Sequence, residues 1–233
     1  MRSEGSVLFG GARRSYAAPA RLSGAEGSPL MRGWLHLVAF VASVPAAIML
    51  MLRAGPGRGV AVYGVALTGL FGVSAGYHLL PWSPGARSWM RRLDHGFIYI
   101  FIAAAYTPFC LAVTPRGSGP VILALCWCGA VVGFLLKIVA FERAALVAGP
   151  LYLGLGWLGA LNISTYAQVL TGLQFGLLLL MGSSYTVGAA VLAVRRPDPF
   201  PTVFGYHEIW HAMVVAAGAC YFAVMWSLTA GRH

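Results

Sequence analysis

The stretch VFGYHEIWHAMVVAAGACYFAVMWSL, residues 203–228, decides the fold class. It can cross a bilayer as one helix, because a membrane-spanning helix needs roughly 20 mostly apolar residues. Its ionisable residues lie in its first turns, where His207, Glu208 and His211 form the pattern H-E-x-x-H. On a helix, this pattern is the signature of zinc peptidases. The stretch therefore predicts a membrane helix with a candidate metal site near its start.

The composition of the whole chain also indicates a membrane protein. Of the 233 residues, 59% are hydrophobic and only 9% are charged, and the mean hydropathy is +0.76. A soluble domain usually has about a quarter of its residues charged. The formal charge of +10 would suggest a nucleic-acid partner in a soluble protein. Here arginines that flank membrane helices explain it better, so we expect no nucleic-acid partner and no large separate soluble domain.

Short polar connections divide the chain into seven apolar runs. We predict transmembrane helices at about residues 34–52, 59–80, 93–113, 120–140, 147–166, 171–194 and 203–228. Residues 1–32 have no apolar run and are too polar for a secretory signal, which predicts a disordered cytoplasmic tail. The predicted fold is an all-α integral membrane protein, a seven-transmembrane helix bundle over residues 33–230.

The distribution of basic residues predicts the orientation of the bundle. Cytoplasmic segments carry an excess of Lys and Arg. With the N-terminus inside, twelve basic residues lie in inner segments, against four in outer segments: Arg53, Arg58, Arg116 and Arg232. We therefore predict a cytoplasmic N-terminus and an external C-terminus, in the plasma membrane.

Polar residues from three distant stretches are predicted to meet at the cytoplasmic side. Ser74 and His78 lie near the end of the second span, Asp94 and His95 open the third, and the H-E-x-x-H pattern opens the seventh. In a seven-span topology these three positions reach one depth on one side. Ionisable residues inside a membrane are expensive, so each is a candidate for function.

Three of the histidines have the spacing and depth of metal ligands. His207 and His211 are four residues apart and share a helix face. With His78 they could supply three ligands to zinc and leave a fourth position for water, which is the pattern of catalytic zinc. Asp94 is either a carboxylate that orients this water or the N-cap of the third span. We interpret His36 as an interhelical hydrogen-bond partner, whereas His95, Tyr99 and Tyr106 share a second polar face.

The residues after His211 argue against a peptidase. In H-E-x-x-H peptidases the Glu is the general base and a third ligand follows downstream. Downstream of His211 this chain has no Asp or Glu, and its only histidine is the terminal His233. The third ligand must therefore come from upstream, and Glu208 is left as a carboxylate that suits the helix N-terminus.

Several motifs closely resemble the bacterial hemolysin III family, which groups with the progestin and adipoQ receptors and more distantly with the alkaline ceramidases. They are MRGWLHLVAF (31–40), SAGYH (74–78), RLDHGFIYIFIAAAYTPF (92–109) and SSYTVGAAVLAVRRPDPFPTVFGYHEIWHAMVVAA (183–217). The resemblance runs in order from Pro29 to Trp226. It implies seven helices with the N-terminus inside and zinc near the cytoplasmic face.

Carried over residue by residue, the resemblance implies His78, His207 and His211 as zinc ligands. It implies Asp94 as the carboxylate beside them, with Ser74 as its polar partner. The adiponectin receptors have Gln at the position of Glu208, so the Glu of the opening motif looks incidental. The sequence then favours a zinc-dependent hydrolase of a membrane lipid, such as a ceramide-like amide. The alternatives are a receptor-like or lipid-sensing protein with structural zinc, and a cytolysin.

The charge asymmetry generates a prediction about topology. We expect a reporter fused to the N-terminus to be cytoplasmic and one fused after His233 to be external, because basic residues favour one side by twelve to four. Paired fluorescent-protein and alkaline-phosphatase fusions measure this. Two reporters on the same side would indicate an even number of spans.

Overall fold

The computed structural model describes residues 29–55 and 59–230, and this part of the chain is mainly helical. Within it, seven helical crossings are long and apolar enough to span a membrane. The fifth crossing is made of two helices joined by a 3-10 turn at Leu158–Asn162. The helices are α1 (Trp34–Ala54), α2 (Val60–Leu79), α3 (Pro84–Val113), α4 (Gly119–Val139), α5 (Ala145–Trp157), α6 (Ile163–Val169), α7 (Gly172–Val194) and α8 (Tyr206–Ala230).

Side-chain caps mark the starts of α3 and α7. Ser83 precedes α3, and its hydroxyl accepts a hydrogen bond from the backbone N–H of Ala86. Thr171 precedes α7 and forms a reciprocal capping box with Gln174. In lipid each backbone polar group must find its partner inside the protein, so long apolar runs between such caps form helices. The predicted seven-transmembrane all-α fold is confirmed.

The first and last helices pack against each other. Most neighbours in sequence are neighbours in space, from α1 against α2 through to α7 against α8, and α8 also packs on α1. The core between them is aromatic: Tyr63 of α2 and Tyr221 of α8 are fully or almost fully buried, with ring centroids 5.1 Å apart. This arrangement places the end of α2 and the start of α8 on either side of the first turns of α1.

The third helix begins earlier than predicted. It begins at Pro84, whereas the sequence placed its start near residue 93, because Ser83 and Pro84 supply an N-cap and a first helical position. Residues expected in a polar connection therefore form the first turns of α3. The interpretation of Asp94 as an N-cap is wrong, because this residue lies well inside the helix.

The tail predicted for residues 1–32 falls mainly outside the described residues. Its last four residues are described, and they contact the loop between α7 and α8. The N–H of Leu30 donates to the carbonyl of Thr202 (3.0 Å), and the N–H of Met31 donates to the carbonyl of Val203 (3.1 Å). The packed part of the chain thus begins before Trp34, the first residue of α1.

A glycine brings α3 and α4 close together. A Cβ added at Gly133 of α4 would overlap the ring of Tyr99 of α3, which is fully buried. The hydroxyl of Tyr99 donates to the carbonyl of Ala148 in α5 at 2.6 Å, so the ring is fixed at its far end. The close approach of three helices therefore depends on the missing side chain at residue 133.

We expect Gly133→Ala to destabilise the protein by about 1–3 kcal/mol, the usual cost of overpacking a core. Unfolding in mixed micelles with increasing SDS measures the difference. Gly176→Ala in α7 is the matched control, because a Cβ there meets open space and Ala stabilises a helix interior by about 0.5–1 kcal/mol over Gly. Equal stability of Gly133→Ala and the parent would contradict this account of the helix contact.

Candidate metal centre

The start of α8 is fixed by two carboxylates. Glu208 Oε2 accepts a hydrogen bond from the backbone N–H of Gly205 (2.8 Å), and Asp198 Oδ1 accepts one from the N–H of Tyr206 (3.0 Å). Amides in a first helical turn have no partner within the helix, so these bonds satisfy groups that would otherwise be unpaired. The cap sets the rotation of the turn that carries His207 and His211.

Three histidines meet at this end of the bundle. The ring of His78, from the last turn of α2, lies 5.1 Å from the rings of both His207 and His211. The rings of His207 and His211 are 4.6 Å apart. One nitrogen from each of the three lies within 4.8 Å of the others. The predicted convergence is confirmed, while the role of these residues as ligands stays a prediction. We call this region, with the first turn of α1, the histidine end.

The chemistry of these nitrogens fits a metal ion. His78 and His211 are buried and His207 is partly buried. The Nε2 atoms of His78 and His207 have no hydrogen-bond partner in the described part of the chain. A buried polar atom without a partner costs about 1–3 kcal/mol, so a ligand that uses several converging nitrogens would recover this loss. Imidazole nitrogens in sets of three are typical ligands of catalytic zinc.

Asp94 and Ser74 lie beside the histidines. Asp94 Oδ2 is 3.9 Å from His78 Nε2 and 3.7 Å from His95 Nδ1. Ser74, one turn before His78, is 2% exposed and is the side-chain hydrogen-bonding neighbour of Asp94. The two predicted catalytic residues and the three predicted ligands thus occupy one compact site.

His95 does not belong to the three-histidine group. Its Nδ1 lies 2.9 Å from the carbonyl of Arg91, and its ring packs edge-on against Phe141. On the same helix, Tyr99 and Tyr106 hydrogen-bond the backbone of α5. The second polar face predicted from the sequence therefore faces the fifth crossing.

His36 belongs to the site in a way that the sequence interpretation missed. Its ring stacks on that of His211, with centroids 3.8 Å apart and planes inclined by 8°. The interhelical partner predicted for His36 is therefore α8, and the closest contact between the two residues is the stacking of their rings. The signal was available, since the first turn of α1 lies at the depth at which α2 ends.

Arg32 and Glu208 form an ion pair that the sequence interpretation also missed. Arg32 Nε lies 2.5 Å from Glu208 Oε1, and the glutamate side chain is 1% exposed. The remaining oxygen of Glu208 holds the cap of α8. Both oxygens are thus engaged by the protein. The expectation that Glu208 is incidental was therefore incomplete, because the residue has a structural partner at each oxygen.

Comparisons with known proteins agree with this architecture. Residues 26–222 match the profile of the family described as "Haemolysin-III related". Hemolysin-3 of Bacillus cereus is 34% identical over 194 residues, which cover 80% of this chain and 85% of that protein. The Hemolysin-3 homolog of Bacillus subtilis is 29% identical over 80% of this chain and 87% of its own length. The human monocyte to macrophage differentiation factor is 29% identical over 71% of this chain and 68% of its own length.

We expect the purified protein to bind about one zinc ion per chain, because three ligands converge on one point. His78→Ala, His207→Ala and His211→Ala should each remove most of the metal, as measured by elemental analysis of protein reloaded with zinc. His36→Leu, which removes both nitrogens of a stacked neighbour and keeps most of its volume, should retain it. Full zinc in His78→Ala would exclude that residue as the third ligand.

Proposed function

Because the chain belongs to the haemolysin III-related family of multi-pass membrane proteins, we propose that its histidine end is a zinc centre that hydrolyses a membrane lipid. The preferred substrate class is a lipid amide of the ceramide type. The protein would act in the plasma membrane with the histidine end at the cytoplasmic face, as the distribution of basic residues favours.

One observation carries this proposal: a carboxylate lies beside the proposed ligands. Asp94 is within 3.9 Å of His78, and its side chain is only 14% exposed. A structural zinc site is closed by four protein ligands, whereas a catalytic site has three and a nearby acid–base group. Among the described residues the cluster that could hold a metal has three histidines and no fourth His, Cys, Asp or Glu within the same spacing.

The residues of the site have distinct roles in this proposal. His78, His207 and His211 would hold the zinc ion, which supplies Lewis-acid chemistry by polarising a carbonyl oxygen. Asp94 Oδ2 takes a proton from the attacking water while the oxygen of that water forms a bond to the carbonyl carbon. As the carbon–nitrogen bond breaks, the same oxygen returns that proton to the leaving amine. Ser74 hydrogen-bonds Asp94 and orients its carboxylate.

A lipid substrate suits the surroundings of the site. Exposed large apolar side chains lie on seven of the eight helices, and α1, α4 and α7 have several each, for example Val38, Val41, Leu125, Leu135, Leu173 and Leu180. The histidines lie between these helices near their ends, at the depth where a lipid carries its polar linkage. The reacting bond of a lipid can therefore reach the site while its chains remain in the bilayer.

A second candidate is lysis of membranes, favoured by the names of two relatives, Hemolysin-3 of Bacillus cereus and its homolog in Bacillus subtilis. A pore needs a polar path across the membrane. The polar side chains that converge here form one compact site at one end, which favours hydrolysis. A receptor-like or lipid-sensing protein with structural zinc is the third alternative.

Three measurements on one preparation separate these functions. Zinc-loaded protein in liposomes is incubated with fluorescent ceramide, and released fatty acid is quantified. The same liposomes, filled with dye, report leakage. Hydrolysis that depends on zinc supports the hydrolase, and leakage without hydrolysis supports the cytolysin. If the protein holds zinc tightly but causes no hydrolysis and no leakage, the result supports a structural zinc site.

Replacing the carboxylate tests the proposed proton transfer. We expect Asp94→Asn to retain zinc, because the three imidazoles remain, and to lower the hydrolysis rate by about 10²–10⁴-fold, as the loss of a general acid–base group does. The matched control is Glu142→Gln, because Glu142 is an exposed carboxylate paired with Arg91 outside the cluster. An unchanged rate in Asp94→Asn would remove Asp94 from the mechanism.

A further inference from the structure

We propose that the ion pair between Arg32 and Glu208 holds the two parts of the three-histidine ligand set at metal-binding distance. His78 comes from α2 and the other two histidines come from α8. Arg32 lies in neither helix but in the leading segment, residues 29–33, before α1. This inference rests on the proposed metal centre, and it assigns Arg32 and Glu208 as positioning residues.

The carboxylate of this ion pair is shielded from solvent and bonded at both oxygens. Glu208 is fully buried, and its two oxygens are taken by Arg32 Nε and by the N–H of Gly205. A buried carboxylate is stable only when it is paired and hydrogen-bonded, and removing one partner leaves an uncompensated charge. Arg32 is therefore fixed to the first turn of α8, the turn that carries His207 and His211.

The leading segment is bound to the same loop by its backbone. Leu30 and Met31 donate to the carbonyls of Thr202 and Val203, at 3.0 Å and 3.1 Å. Three residues later that loop becomes the cap of α8. The segment and the start of α8 thus share two backbone hydrogen bonds and one ion pair, which makes them one unit.

The other side of the leading segment touches the third ligand. Gly33 has a φ of 86°, a conformation that favours glycine. A Cβ added there would lie 2.7 Å from the Cβ of His78. The segment therefore packs directly on the base of His78 while Arg32, one residue earlier, is anchored to α8.

Through the leading segment, these contacts connect α2, which carries His78, with α8, which carries His207 and His211. α1 packs against both α2 and α8, and the leading segment extends this contact to the level of the histidines. Residues outside the ligand set that orient ligands typically change metal affinity by about 10–100-fold when they are replaced. Loss of the pair should let the start of α8 shift relative to His78 and spread the three nitrogens.

The test measures metal binding without turnover. Zinc affinity is determined by competition with a fluorescent chelator for the parent, Arg32→Met, Arg32→Lys, Glu208→Gln and the double variant Arg32→Met/Glu208→Gln. We expect about 10–100-fold weaker binding in Arg32→Met and in Glu208→Gln, and a smaller loss in Arg32→Lys. The double variant should be no weaker than the worse single variant, because both changes break one contact.

Cobalt-substituted protein supplies a second readout, since its visible spectrum reports the geometry of the ligands. We expect the spectrum to change in Arg32→Met and Glu208→Gln and to stay constant in Glu142→Gln. This control breaks the exposed pair with Arg91, in which the carboxylate side chain is 77% exposed. If Arg32→Met does not fold, Arg32→Lys and Glu208→Gln decide the question.

The outcomes separate this inference from the proposed function. Variants with the zinc affinity and cobalt spectrum of the parent would overturn the inference. Variants that lower only the stability of the metal-free protein, with zinc affinity unchanged, would also overturn it. A parent that binds no zinc would overturn the proposed metal centre and this inference with it. A parent that binds zinc but hydrolyses no lipid would overturn only the hydrolase, and the affinity comparison would still decide the role of the ion pair.

Discussion

The lack of water in a bilayer is the constraint on which this structure depends. Each backbone group must bond inside its own segment, so every crossing is helical, and each polar side chain in the interior needs a partner within the protein. At the histidine end these partners are scarce, and four imidazoles from α1, α2 and α8 lie against one another instead. The ring of His36 stacks on that of His211, while the rings of His78 and His207 meet edge-on. A metal cation can accept lone pairs from several neutral imidazole nitrogens at once.

The same H-E-x-x-H pattern serves different purposes in different surroundings. In soluble peptidases its glutamate is a base that faces solvent and substrate. Here Glu208 is fully buried, with one oxygen on Arg32 and the other on the backbone of Gly205. In the proposed metal centre the acid–base role would pass to Asp94 on another helix, and the third ligand would be His78, which precedes the motif in the chain. The motif therefore identifies two histidines, and the fold determines the chemistry around them.

Much of the fold could be predicted from the sequence, because in lipid each long apolar run forms a membrane-spanning helix, so the apolar runs give the number of helices. Helix depth then brought His78 together with the H-E-x-x-H pattern, since each lies at a predictable end of a span. What could not be predicted depends on local geometry. The early start of α3 followed from the capping of Ser83 rather than from hydropathy. The pairing of Arg32 with Glu208 needed the path of a segment outside any span, and the stacking of His36 needed the rotation of α1.

The packing of α8 on α1 also has a consequence for biosynthesis. During synthesis α1 and α2 enter the membrane before α8 has been made, so His36 and His78 at first lie in an incomplete bundle. The leading segment has no loop to bind until residues 202 and 203 have been made. The three histidines come together only when α8 enters, after the seven preceding helices have been made. A metal ion held by all three histidines, as proposed, could bind only after α8 has been made, and a product truncated before α8 carries one of the three histidines.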